Sequence, residues 1–273
     1  MQEKTYQTAH GTIHYWVDIP DPSRQTLVFL PGLTADHRLF EKQLAAFAGR
    51  YNRLTWDAPG HAASRPFVLD FALKDKAIWL HDILEREGVS RPVLIGQSMG
   101  GYVSQCFMEL YPGSAEAFVS IDSAPLKRHY YTGWELWLLK RCEPIYRYYP
   151  WKPLQNTGAK GCAVSAYGQA LMRAMMNDYT HEEYSRLAGH GFAMLAEAVE
   201  AKLPYRIDCP CLLLCGEKDR AGSARSYNRR WAAQEDLELV WIKDAGHNSN
   251  TDAPERVNAL IENFLAVHAA VCR

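Results

Sequence analysis

Apolar and polar positions along the chain fall into two textures that take turns. Short runs rich in Val, Ile, Leu and aromatic residues occupy 12–17, 26–30, 53–56, 92–95, 117–121, 211–214 and 237–242. Between most of them lie longer segments whose apolar residues recur at helical spacing. The segment 38–48 carries Leu39, Phe40, Leu44 and Phe47, and 73–87 carries Ala77, Ile78, Leu80, Ile83 and Leu84. The segments 99–110 and 255–267 repeat the pattern. Short apolar strands alternating with amphipathic helices predict an α/β fold, a mostly parallel sheet covered by helices on both faces. Ala9, His10 and Gly11 form a turn signal ahead of the second strand, so the chain is expected to open with a hairpin.

One stretch interrupts the alternation. Between about Pro125 and Arg206 no strand pattern appears; aromatic residues crowd the first part, and 178–202 has helical spacing. Strand signals then resume. The expected organisation is a core of 1–124 and 206–273 with a helical lid, 125–205, inserted into it. Its aromatics, Trp134, Trp137, Tyr146, Tyr148, Tyr149 and Trp151, are expected mostly to pack lid helices onto the core, with one or two lining a pocket. The bases among them (Lys127, Arg128, Lys140, Arg141, Arg147 and Lys152) read as solvated helix faces.

Charge narrows the partners. The net charge is −1, which predicts no broad attraction to nucleic acid or to an anionic membrane. No apolar run approaches a membrane span, and MQEKTYQTAH has no apolar core of a signal peptide, so a cytoplasmic location is expected. The seven cysteines form no paired CxxC array, and the ligands near Cys209, Cys211 and Cys215 match no recognised metal spacing. Buried reduced thiols are expected there, with no metal. These features leave a small-molecule substrate as the expected partner; the oligomeric state is not legible.

The stretch VLIGQSMGG, 93–101, carries the chemistry. A Gly-x-Ser-x-Gly between a buried strand and a helix is the pattern of a nucleophile elbow. The turn is tight, so the positions two residues either side of the serine must be small, as Gly96 and Gly100 are. It pushes the Ser98 hydroxyl beyond the sheet edge and places it at a helix N-terminus, where negative charge is favoured. A serine needs a base, and the base an orienting carboxylate. In this arrangement the chain order is Ser, acid, His. Asp219, closing CLLLCGEKD, and His247, closing LELVWIKDAGH, both follow predicted strands. Asp122, after strand 117–121, is the rival acid; Glu217 and Asp244 are weaker ones, and His268 is a rival base within the last helix.

The chain resembles the α/β-hydrolase superfamily over essentially its full length. The resemblance rests on LPGLT at 30–34, DAPGHAAS at 57–64, GQSMGG at 96–101, GEKD at 216–219 and AGHN at 245–248. Pro31 stands where relatives often have His before Gly32, and Ala62 and Ala63 follow His61 where relatives often have glycine; both departures leave the triad untouched. His61 reads as a structural residue of its loop. The resemblance implies acyl transfer to water, with Ser98 as nucleophile, His247 as base and Asp219 as its partner. The backbone N–H groups of Leu33 and Met99 would bind the oxyanion, with no cofactor. A carboxylic ester, lactone or thioester is the expected substrate. Relatives also include pyruvate-eliminating lyases of menaquinone synthesis, carbon–carbon hydrolases and small-molecule receptors, and these stay open as alternatives.

Overall fold

A computed structural model describes residues 1–269. Eight strands, β1 (Gln2–Gln7), β2 (Thr12–Asp18), β3 (Thr26–Leu30), β4 (Asn52–Trp56), β5 (Val93–Gln97), β6 (Ala117–Ile121), β7 (Cys211–Gly216) and β8 (Glu238–Ile242), form one sheet. Its order is β1-β2-β4-β3-β5-β6-β7-β8. The pairs β1/β2 and β2/β4 are antiparallel, and every other pair is parallel. This is the α/β architecture the pattern predicts. The opening hairpin forms as expected, although β1 reads QEKTYQ and has no apolar run of its own. Polar residues suit it, because it is an edge strand whose unpaired backbone faces water.

The inner strands β3, β4, β5 and β6 are buried at every position. Successive side chains point to opposite faces, so each strand feeds two cores. Val28, Leu30 and Leu94 join one, with Leu80 and Ile83 from α2 (Leu73–Arg86), Val103 and Phe107 from α3 (Met99–Leu110), and Trp231. Leu27, Phe29, Val93 and Ile95 join the other, with Phe40, Phe47, Val257 and Ile261.

The helix expected over 38–48 is divided. A 3-10 turn, His37–Phe40, precedes α1 (Glu41–Ala46). The Asp36 carboxylate accepts from the Arg38 N–H and winds the chain tightly there, and Phe40 leaves helical geometry with ψ at 14°. Between β6 and β7 the chain runs through five helices and no strand. They are α4 (Gly133–Leu139), α5 (Glu143–Tyr148), α6 (Trp151–Cys162), α7 (Ala166–Asn177) and α8 (His181–Glu200). The remaining helices are α9 (Ala224–Glu235), α10 (Ser249–Asp252) and α11 (Pro254–Ala269). Among the described residues no helix is long and apolar enough to cross a membrane.

The aromatics of this helical segment depart from expectation. Trp134, Trp137, Tyr148 and Tyr149 are exposed, Tyr148 at 83%, and so do not pack into the core. Tyr146 stacks on Phe192, and Trp151 on His181. Apolar residues surround α4 rather than marking one stripe, so spacing alone gives no inward face; only Leu136 of that helix is buried. Lys140 and Arg147 lie on solvated faces as expected, whereas Lys127 is half-buried over the Tyr205 ring. Lys140 pairs with Glu200, Arg147 with Glu143 and Glu182, and Lys127 with Glu235.

Candidate active site

Ser98 stands between β5 and α3 with φ 50° and ψ −116°, a conformation that side-chain-bearing residues rarely adopt. Backbone bonds hold the turn: Ser98 N–H donates to Ile121 O at 2.9 Å, and Gly101 N–H to Ser98 O at 2.9 Å. The two flanking glycines are required sterically. A Cβ on Gly96 would lie 2.5 Å from the Gly100 backbone, and one on Gly100 would lie 1.8 Å from Leu30 O.

The serine meets residues from two distant loops. His247, in the loop after β8, places Nε2 2.9 Å from Ser98 Oγ. Its Nδ1 lies 3.0 Å from Oδ2 of Asp219, in the loop after β7. Asp219 Oδ1 accepts from the Ala221 N–H at 2.8 Å, which fixes the carboxylate. The structure thus brings together Ser98, His247 and Asp219. Burial works against a charged imidazole at His247, but the adjacent Asp219 carboxylate, by charge and hydrogen bond, and Asp122 outweigh it and hold its pKa above the ordinary histidine value.

Asp122, the rival acid, sits elsewhere in the network. Its Oδ1 accepts from the Gly216 N–H at 2.7 Å and its Oδ2 from the Ser249 N–H at 2.8 Å. It therefore ties the end of β7 to the histidine loop. Burial and the Asp219 charge push its pKa up. Asp244 instead pairs with Lys218 at the surface.

The loop after β3 closes over the serine. A Cβ on Gly32 would meet Ser98 Cβ at 3.1 Å and Gln97 Oε1 at 2.3 Å, so a larger residue would have to displace the Gln97 amide. Leu33 follows, with its side chain against Gly191 of α8. Met99 opens α3, where first-turn N–H groups have no intrahelical acceptor. Met99 thus follows Ser98 directly, and Gly32, the residue before Leu33, packs against the Ser98 side chain.

Gln97, quoted in the motif but given no role from sequence, proves to be a strut. It is buried, and its Nε2 donates to His247 O at 2.8 Å and to Asn248 Oδ1 at 3.2 Å. No local signal marks it, since the partner is 150 residues away. The DAPGHAAS motif is a scaffold. Asp57 accepts from the His37 and Ala63 N–H groups, and Ser64 Oγ donates to Asp57 O at 2.7 Å. His61 is fully buried, with Nδ1 3.0 Å from Pro59 O, in keeping with a structural residue.

A family model described as the alpha/beta hydrolase family matches residues 27–260. This chain belongs to that family. RutD of Escherichia coli O81 (strain ED1a), named provisionally as a carbamate hydrolase, is 24% identical to this alpha/beta hydrolase over 271 residues. That match covers 90% of this chain and 93% of RutD. An esterase from Thermogutta terrifontis superposes with a TM-score of 0.81 at 19% identity, covering 98% of this chain and 99% of its own. The enol-lactonase from Burkholderia xenovorans LB400 superposes with a TM-score of 0.75 at 19% identity, covering 96% and 100% respectively. At these identities the superpositions establish the fold of this family member and nothing finer.

Proposed function

We propose that this alpha/beta hydrolase is a serine hydrolase that cleaves a carboxylic ester, lactone or thioester of a small molecule through an acyl-enzyme. The observation that carries the reading is the unbroken relay from Ser98 Oγ to His247 Nε2 and from His247 Nδ1 to Asp219, at 2.9 and 3.0 Å. An aliphatic hydroxyl is a poor nucleophile at neutral pH unless a base removes its proton as it attacks. His247 is within reach to do so, and Asp219 fixes the tautomer that leaves Nε2 free to accept.

Ser98 Oγ attacks the carbonyl carbon while His247 takes its proton. The carbonyl oxygen becomes an oxyanion, held by the Leu33 N–H in the loop after β3 and the Met99 N–H at the start of α3. The tetrahedral adduct collapses, His247 protonates the departing alcohol or thiol, and an acyl-serine remains. Water then repeats the sequence, with His247 as base, and releases the acid. In a lactone the leaving alcohol stays tethered to the acid. Helices α4–α8, within 125–205, form the lid over a core of 1–124 and 206–273; the contact of Leu33 with Gly191 supports that placement. The names of the relatives also favour an acyl substrate, because a carbamate, an ester and an enol-lactone each offer a carbonyl to a nucleophile.

Labelling with a fluorophosphonate, read by intact mass, tests the proposal. A single adduct is expected on the native chain and none on Ser98→Ala, whose ester turnover is also lost while its unfolding transition stays in place. An adduct on both proteins, or turnover by Ser98→Ala near that of the native chain, would refute the nucleophile.

A further inference from the structure

The loop carrying His247 is held from two sides. From the core, Gln97 donates to His247 O. Toward the inserted helices, the grip centres on Asp252 at the end of α10, a residue with no part in the relay. Its Oδ2 accepts from the Gly246 N–H at 2.8 Å and from the Val164 N–H at 2.9 Å. Its Oδ1 accepts from the Ser165 N–H at 2.8 Å. One carboxylate therefore joins the residue before His247 to the turn between α6 and α7, 87 and 88 residues away. Asn248, the residue after His247, donates its N–H to Cys162 O at the end of α6 at 2.7 Å. The junction is also close-packed. A Cβ on Gly246 would stand 3.1 Å from Cys162 O and 3.4 Å from Ala163 Cα, and one on Gly168 would stand 2.7 Å from Thr251 Oγ1.

We propose that Asp252 is a positioning residue that makes the placement of His247 conditional on the seating of the α6–α7 turn. The inference rests on the reading of His247 as the base. Asn248 is bonded to the end of α6 directly, and Gly246 is tied to the α6–α7 turn through Asp252, so lifting that turn removes an anchor of the backbone on either side of the imidazole. A carboxylate suits the junction because all three partners are N–H donors. A carboxamide of the same shape offers one oxygen and turns an NH2 toward a donor, so it cannot reproduce the set.

The test compares Asp252→Asn with the native chain on a short-chain ester, together with hydrogen exchange. The expected result is a fall in kcat of about 10²-fold with KM within about twofold, as for a reacting group displaced by about an ångström. The amides of Val164, Ser165 and Gly246 should gain exchange together in the variant. A merely structural residue would lower the unfolding midpoint and leave kcat below that midpoint unchanged; that outcome, or faster exchange on one side of the junction alone, overturns the proposal. If Asp252→Asn does not fold, exchange in the native chain decides: the three amides should open with one shared protection factor, and values differing by more than about tenfold refute the link. His247→Gln separates the two readings. If His247→Gln is inactive and Asp252→Asn fully active, the base stands and only this proposal falls. If His247→Gln retains full activity, the base reading itself falls, and the proposal with it.

Discussion

Lys76 offers a test of the physics of this fold that does not depend on the reaction. It lies on α2 with 1% of its surface exposed. Its ammonium sits 5.6 Å from the centre of the Phe71 ring, which also meets His190 of α8. Burial lowers its pKa from 10.5 to about 7, with no carboxylate charge to offset the cost. Each pH unit is worth about 1.36 kcal/mol, so the buried amine costs the fold about 5 kcal/mol when it must carry its proton. The sign follows from which state holds the proton. The unfolded chain keeps it up to pH 10.5 and the folded chain only below about 7, so the stability at stake is fully present above pH 10.5 and lost as pH falls to about 7. Lys76→Met keeps the length of the side chain and removes the charge. It should therefore be more stable than the native chain at neutral pH, and the gap should narrow by about 2 kcal/mol between pH 7 and pH 9. Denaturant unfolding followed by tryptophan fluorescence at both pH values measures this directly, since Trp56 and Trp231 are buried. A gap that does not change with pH, or a methionine variant less stable at pH 7, would refute the reasoning.

Three further outcomes are expected. Asp219→Asn should lower kcat by about 10³- to 10⁴-fold through loss of the correct imidazole tautomer, whereas Asp122→Asn, which disturbs only the support of the loop, should cost far less; ester kinetics on the two purified variants decide between them. The pH profile of kcat/KM should fall on the acid side with a midpoint above 6.5, because His247 must be neutral to act and its neighbours raise its pKa; Asp219→Asn should move that midpoint down, since Asp219 contributes most to the raising. Gly100→Ala should destabilise the fold by about 3 kcal/mol or more, given a methyl driven to 1.8 Å from Leu30 O, and a thermal midpoint equal to the native one would contradict the packing described at the elbow.

The legible parts of this protein are those whose cause is local. Strands β3, β5 and β6 are buried on both faces and so read as mostly apolar runs, TLVFL, VLIGQ and AFVSI. The placement of Ser98, Asp219 and His247 together was legible because each ends a strand in the order an elbow-based site requires. Helix α6 was not, since KPLQNTGAKGC has glycines and no apolar period; packing holds it helical. The exposure of Trp134 and Tyr148 was equally hidden, because residue type alone does not say which side of a helix meets the core. Gln97, Asp122 and Asp252 act on backbone atoms 150, 127 and about 87 residues away, and nothing next to them in the chain announces it.

The same distances govern when this protein acquires chemistry. Ser98 and His247 are 149 residues apart, and they meet only after β7 and β8 have joined an edge that β6 provides. The elbow can be wound, and most of the sheet assembled, while the hydroxyl still lacks its base. Contacts of such long range close late and slowly in a folding chain. Recovered turnover is therefore a marker of the last stage of refolding, and it should lag behind the return of secondary structure. A chain stalled before β8 docks would hold Ser98 in the strained turn without His247 beside it, and on the proposed mechanism it would be chemically silent.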